Sequence, residues 1–514
     1  MAEKEKEHKL LFKSSEKSNF ILNMSDEDLK NIIMKILLSL CIFMPVMCII
    51  AEYSDSYFFE FTPMLRILPM TLMYIIGVIS IVLLIVGFLK KKFDASNKFA
   101  LIIGGIMVLL GIISVILSYA SKLPLYNLSP SELKDAFEQT GSPEKYGTTF
   151  RAPLMGSMTR NDGFLNLLFY IMLFAVAGII TKTEKIIKFF DFFIGFVLIQ
   201  CAWAVLQMLG VVTNYYENLM VLGVLNVSLP SGLSGSPMAF SLTLAMGLGI
   251  SLGGACFDIN SKKRRTIYTI SACIFAFFSL VSVNIAGIIG MAVVFTLILT
   301  ITIVKFVRSK DKKGFSSIFL KLGAVVVATS FAMLITLLRN NPLYDPALIY
   351  QESFSKLGGI GMYDFSLRRF EVTDIDSTYS YIWGLALKVI KDSPIFGVGP
   401  ECFILTQLTN MFDDTQVDTM DRPYNDYLYM AVSYGIPFVI AFITMVVFSV
   451  KRAAKSFSAS VSSKEDGWIF LSLVLALLGF AFASIFSTVN VAVAPFFWIF
   501  AGIACGKLTA KKRI

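Results

Sequence analysis

The chain is 514 residues long, 56% hydrophobic and only 16% charged, where soluble domains carry about 25% charged residues. That composition excludes an ordinary soluble enzyme and describes a chain that crosses a bilayer many times. The net charge of +9 does not point to nucleic acid as a partner, because the basic residues stand in short clusters between apolar runs, as membrane orientation requires.

Residues 1–31 form a Lys/Glu-rich tail without the layout of a cleavable signal peptide. Within it, Ser25 followed by Asp26, Glu27 and Asp28 predicts a capped helix start with acids at the positive dipole end. The first span then covers about 32–50. Eleven more follow at about 67–89, 99–119, 163–181, 187–209, 238–257, 267–283, 285–306, 318–338, 424–449, 467–487 and 489–506. This is an all-α integral membrane protein of about twelve helices, nine in 32–338 and three in 424–514. Asn284 and Ser487–Thr488 are the expected hairpin tips.

Alternate connections are basic: Lys90–Lys92 with Lys98, Lys182–Lys188, Lys262–Arg265, Lys305–Lys313, Lys451–Lys464 and Lys507–Arg513. The positive-inside rule therefore places both termini in the cytoplasm and the long loops 120–162, 210–237 and 339–423 outside. The last is too long for a mere connector. Within it, Ile382, Ala386, Val389 and Ile390 recur at helical spacing, with Lys388 and Lys391 on another side, which predicts a short amphipathic helix near the outer interface.

The seven cysteines keep no metal or disulfide spacing and read as small hydrophobes. The single histidine, His8, lies in the N-terminal tail, so the body of the chain has neither a histidine metal site nor a histidine base. Ionisable residues are scarce within the spans, which argues against an ion-coupled transporter. Gln200, Trp203 and Gln207 share one face of the fifth span, either as interhelical hydrogen-bonding groups or as pocket lining. Gly249 and Gly253, like Ala286 and Gly290, fit close helix packing.

Polar, punctuated sequence gathers at outer helix starts. Pro394, Gly397, Gly399 and Pro400 force a turn, and Asp421-Arg422-Pro423-Tyr424-Asn425-Asp426 opens the tenth span, with Pro423 expected at its first position. The helix N-terminus and Arg422 make either a phosphate clamp or an interfacial cap with a snorkelling arginine. Arg160, in Gly156–Phe164, is either a second phosphate contact or an anchor. Ser231–Pro237 brings backbone N–H groups and the hydroxyls of Ser234 and Ser236 to the same side. Together these segments suit a lipid-linked substrate bearing a pyrophosphate.

The run SPIFGVGPECF followed by DRPYNDYLYMAVSYGIPF resembles the signature of the O-antigen ligase and polysaccharide polymerase family, a P-x-FGxGxxxF turn and then HN-x-YL and a glycine. Asn425, Tyr427, Leu428 and Gly435 fall on matching positions. GSMTRNDGF is similar to a G-x-x-x-R-x-x-G segment of some members, and SGLSGSPMAF to a G-x-x-G-N-P-N segment. The resemblance implies a GT-C-like membrane glycosyltransferase of the bacterial cytoplasmic membrane. Such enzymes move a glycan from undecaprenyl pyrophosphate to an acceptor hydroxyl on a glycan, lipid or protein at the outer face. It also implies metal-independent inversion without a cofactor, with arginines holding the pyrophosphate and a base assisting the acceptor; Arg160, Arg422, Asn425, Ser234 and Ser236 are the residues expected on the pyrophosphate.

Three positions depart from the pattern. Tyr424 stands where the family has its histidine, Tyr379 where an arginine is common, and Ser236-Pro237-Met238 where Asn-Pro-Asn is usual. Tyrosine, with an ordinary pKa near 10, is a poor base at neutral pH and suits hydrogen-bond donation to the leaving phosphate. Asp421 or Asp426 is then the expected base. Two alternatives stay open: a flippase or exporter of lipid-linked oligosaccharide, and a noncatalytic member of an envelope-assembly complex.

Overall fold

An apolar run in lipid must satisfy its backbone within the segment, and each predicted span accordingly falls on helix. The computed structural model describes residues 25–57, 68–91, 95–120, 152–156, 163–180, 182–209, 230–258, 261–282, 284–309, 312–339, 372–403, 406, 422–460 and 467–506. The helices are α1 (Asp26–Tyr57), α2 (Leu68–Leu89), α3 (Ala95–Ala120), α4 (Phe164–Ala177), α5 (Thr183–Met208), α6 (Pro237–Phe257) and α7 (Lys262–Val281). They continue with α8 (Ile285–Ser309), α9 (Lys312–Arg339), α10 (Val372–Asp392), α11 (Asp426–Tyr434), α12 (Ile436–Ser460), α13 (Gly467–Ala483) and α14 (Ala494–Cys505). Among the described residues, ten helices are long and apolar enough to cross a membrane, while α4 and α14 are shorter apolar helices. The protein is an all-α, multi-pass membrane protein.

The centre of the bundle is α6, buried at every position from Pro237 to Ala255. It packs against α13 and α7, with α8 alongside. Small residues make that possible: a Cβ on Gly249 would meet the Ala476 backbone nitrogen at 2.5 Å, the close approach that small residues allow between membrane helices. Aromatic rings fill the space between α5 and α14, where Phe193 and Phe500 meet edge to face at 4.9 Å.

The 21 residues of α6 separate two ends by about 31 Å. One end holds the basic clusters. Lys182 and Lys185 pair with Glu27 at 2.6 and 2.7 Å, and Arg264 reaches Asp258 at 3.2 Å and Asp191 at 3.4 Å. Ser25 caps α1 as its sequence predicts, its Oγ accepting the Asp28 N–H at 3.1 Å. The opposite end begins α6 and α11 and carries the turn 394–400 and the segments 231–237 and 422–426.

Three expectations are corrected at that end. The expected span 424–449 is two helices, broken at Gly435 (φ 88°). Its start is not Pro423: Asn425 is the cap and Asp426 the first helical residue, because an asparagine oxygen can accept helical N–H groups and proline offers no such acceptor. The Ser487–Thr488 tip is part of a longer non-helical stretch, since α13 ends at Ala483, a 3-10 turn covers Ser484–Phe486 and α14 starts only at Ala494. The helix expected around Ile382–Ile390 runs longer, over Val372–Asp392, with Ile382, Ala386 and Ile390 buried and Lys388 and Lys391 exposed.

Candidate functional site

The signature turn and the short helix α11 fold as one unit. At its C-terminal end α11 has carbonyls without helical partners, and the turn supplies donors. Val398 N–H donates to the Val432 carbonyl at 2.8 Å and Gly399 N–H to the Ser433 carbonyl at 3.1 Å. Ile436 N–H in turn donates to the Pro394 carbonyl at 2.8 Å, and Ser114 Oγ of α3 donates to the Ser433 carbonyl at 2.6 Å. Gly435 lets the two backbones meet, because a Cβ there would overlap the Ile395 carbonyl. Phe403, Ala431 and Val432 pack with Ala386 and Ile390 of α10 beneath this junction. The P-x-F-G-x-G turn and the glycine after the Tyr-Leu pair are thus two halves of one contact.

At the other end of α11, Asn425 Oδ1 accepts from the N–H groups of Tyr427 at 3.0 Å and Leu428 at 3.1 Å. Arg422, three residues earlier, is not a surface arginine. Its side chain is 5% exposed and pairs with Glu401, itself 7% exposed. A second guanidinium nitrogen donates to the Val489 carbonyl at 3.1 Å, and the guanidinium carbon lies 4.7 Å from the centre of the Tyr429 ring. Tyr429 Oη donates to the same Glu401 oxygen at 2.9 Å. Asp426 Oδ1 accepts from Val489 N–H at 3.0 Å. The snorkelling alternative for Arg422 is therefore wrong.

The stretch 487–493 lies between this helix start and the turn before α6. Asn490 Nδ2 donates to the Ser234 carbonyl at 2.6 Å, while Val489 engages Arg422 and Asp426 on its other side. Ser236 caps α6, its Oγ accepting the Ala239 N–H at 3.1 Å. Ser234 Oγ lies 3.3 Å from Gln200 Oε1, which also takes the Leu233 N–H at 2.5 Å. Gln207 accepts from Ser231 N–H at 3.1 Å and Gly232 N–H at 3.0 Å, and donates to the Gly232 carbonyl at 3.0 Å. The glutamines of the fifth span hold the 231–236 turn in place. Their hydrogen bonds run from helix to turn rather than from helix to helix.

Tyr424 is left-handed (φ 48°) and 2% exposed. It packs with Met238, Ile382, Ile285, Trp383 and Phe486, and Trp383 Nε1 donates to the neighbouring Pro423 carbonyl at 3.0 Å. Gln200 Nε2, Asn284 Nδ2 and Ser487 Oγ are buried and make no hydrogen bond among the described residues.

The structure thus joins Arg422, Tyr424, Asn425 and Asp426 with Ser234 and Ser236 through one intervening loop. Arg160 and Asp421 lie outside the described residues. Glu401, Tyr429, Val489 and Asn490 escaped the sequence reasoning. Glu401 had one available signal, a lone acid inside the signature turn. Asn490 had another, a polar residue between two apolar runs.

Residues 267–443 match a family model described as O-antigen ligase, a stretch that contains the whole signature turn, α10 and α11. The match supports the O-antigen ligase and polysaccharide polymerase resemblance, and with it a membrane role in transferring glycan during polysaccharide assembly. No curated protein matches the chain.

Proposed function

We propose that the protein transfers a glycan from undecaprenyl pyrophosphate to an acceptor hydroxyl at the outer face of the bacterial cytoplasmic membrane, as a polysaccharide polymerase or an O-antigen-ligase-like enzyme. One observation carries this reading. Three segments far apart in sequence, 231–237, 422–426 and 487–490, are knitted together at the end of the bundle opposite the basic clusters. Two helices, α6 and α11, begin there, and each N-terminus carries partial positive charge suited to phosphate. Arg422 adds a full charge with fork geometry.

In the proposed reaction the acceptor oxygen bonds to the anomeric carbon as the bond from that carbon to the pyrophosphate oxygen breaks, and the electron pair leaves on phosphate. Arg422, Asn425, Ser234, Ser236 and Arg160 are assigned to the pyrophosphate. Asp426 or Asp421 takes the acceptor proton, and Tyr424 donates a hydrogen bond to the leaving group. The test is polymer formation from purified lipid-linked repeat by the full chain. Arg160→Ala and Arg422→Ala should each reduce it by about 10²-fold or more, as loss of a transition-state charge partner does. Unchanged polymer length and amount in both variants would defeat the proposed site.

A second reading, a noncatalytic assembly component, is favoured by Tyr424, which replaces the family histidine and is enclosed by apolar side chains. It requires that polymer assembly in cells be fully rescued by a chain carrying both arginine substitutions.

A further inference from the structure

Glu401 is the one acid in the signature turn, and its position is unusual in two respects. Its backbone is left-handed (φ 58°) although it is not glycine, a conformation that persists only where the surroundings enforce it. Its carboxylate is buried, and one oxygen, Oε1, serves both Arg422 and the Tyr429 hydroxyl. The Arg422 edge that would meet a phosphate is therefore already occupied by a carboxylate, while its other edge is fixed to the Val489 carbonyl and its face to the Tyr429 ring.

From this geometry we infer that Glu401 is a positioning residue that acts as an exchangeable counter-ion: it holds Arg422 in place while the site is empty and yields it to the pyrophosphate of the donor. The inference rests on the transferase reading and adds the residue that governs access to its phosphate contact. The exchange needs little motion of Arg422, because the Val489 carbonyl and the Tyr429 ring hold the guanidinium while one partner replaces another. It is also energetically feasible. A buried ion pair gains little beyond its desolvation penalty, and a pyrophosphate offers the guanidinium more charge and more acceptor oxygens than a carboxylate does. Removing the carboxylate from a buried guanidinium is strongly unfavourable, so Arg422 keeps an anion beside it while the site is empty.

A competitor of this kind lowers the apparent affinity for the true ligand by the fraction of time it is displaced. If the pair is closed about 90% of the time, donor affinity is reduced about tenfold. The experiment titrates undecaprenyl pyrophosphate into the full-length protein in nanodiscs. Glu401→Gln, which keeps the shape and removes the charge, should bind about tenfold more tightly than the unsubstituted protein while its thermal unfolding temperature without ligand falls. Tyr429→Phe, which keeps the ring under Arg422 and removes only one hold on Glu401, should bind about two- to threefold more tightly and guards against a misfolded glutamine variant.

A merely structural ion pair would lower the unfolding temperature without raising affinity. Equal or weaker binding by both variants, or no binding by any form, overturns the inference. Polymer formation is measured in parallel. Ordered affinities without any transfer would sink the transferase reading and leave the exchange standing, whereas transfer with unordered affinities would do the reverse.

Discussion

Gly435→Ala isolates the junction on which the site is built. Gly435 adopts φ 88° and ψ 167°, a region that only glycine occupies without strain, and forcing a side chain into such conformations costs about 1–3 kcal/mol. The added Cβ would overlap the Ile395 carbonyl and crowd the Phe396 nitrogen, so the turn must retreat. Retreat breaks the bonds from Val398 and Gly399 to the end of α11 and the one from Ile436 to Pro394, each a net contribution of about 1 kcal/mol. The sum is about 4–6 kcal/mol, at the upper limit for a single substitution. The assay is denaturant-induced unfolding of detergent-solubilised protein, with Gly195→Ala as the control, since a Cβ at Gly195 in α5 meets nothing within 4 Å. The control should be neutral or slightly stabilising. A Gly435→Ala loss below about 1 kcal/mol would refute the account of the signature as a docked turn.

Two further substitutions probe other parts of the same end. Gln207→Leu keeps the volume but strands the Ser231 and Gly232 N–H groups that Gln207 now accepts. With about 1–3 kcal/mol for each of the two orphaned groups, stability measured by the same unfolding assay should fall by about 2–6 kcal/mol. Tyr424→His should unfold within about 1 kcal/mol of the parent, because histidine tolerates the left-handed region, and it should form polymer at least as fast. By contrast, Tyr424→Val should lose about 1–3 kcal/mol at the same φ, and equal stability of the two variants would show that the backbone there is not constrained.

Helix placement was legible because crossing a bilayer imposes a length and a composition, and ten of the described helices meet both. The capped start at Ser25 and the Gly249/Gly253 packing face were equally local signals. The break at Gly435 left a signal that the sequence reading missed: glycine followed by Ile436 and Pro437 is a helix-stop pattern, and the apolar residues on both sides hid it by extending the hydrophobic run. Pro423 misled for a related reason, since proline suits a first helical position but Asn425 supplies the acceptor that the free N–H groups need. The pairings Ser114–Ser433, Ser234–Asn490 and Asp426–Val489 join segments hundreds or dozens of residues apart, and no local pattern encodes them. Arg422 was found by its residue type, but its burial depended on Glu401, a partner twenty-one positions away.

The helices α4 and α14 carry this further. Their 14 and 12 residues span only about 21 and 18 Å, short of a hydrocarbon core about 30 Å thick. If these helices cross the membrane, chain that is not helical lies at membrane depth, and such backbone is tolerated only where protein buries it or it lines a water-filled cavity. The 487–493 stretch meets the first condition through Arg422 and Asp426, which bond the Val489 carbonyl and N–H, and through Ser234, whose carbonyl accepts from the Asn490 side chain. The isolated polar residues of the apolar spans are thus not alternatives between scaffold and function. Gln200, Gln207, Asn490 and Asp426 are what allow irregular, polar chain to exist inside an apolar bundle, and the proposed transfer from a lipid-linked pyrophosphate would use that chain as its binding surface. A buried charge is costly unless it is paired, which is why Arg422 stands here beside Glu401 rather than as an open arginine.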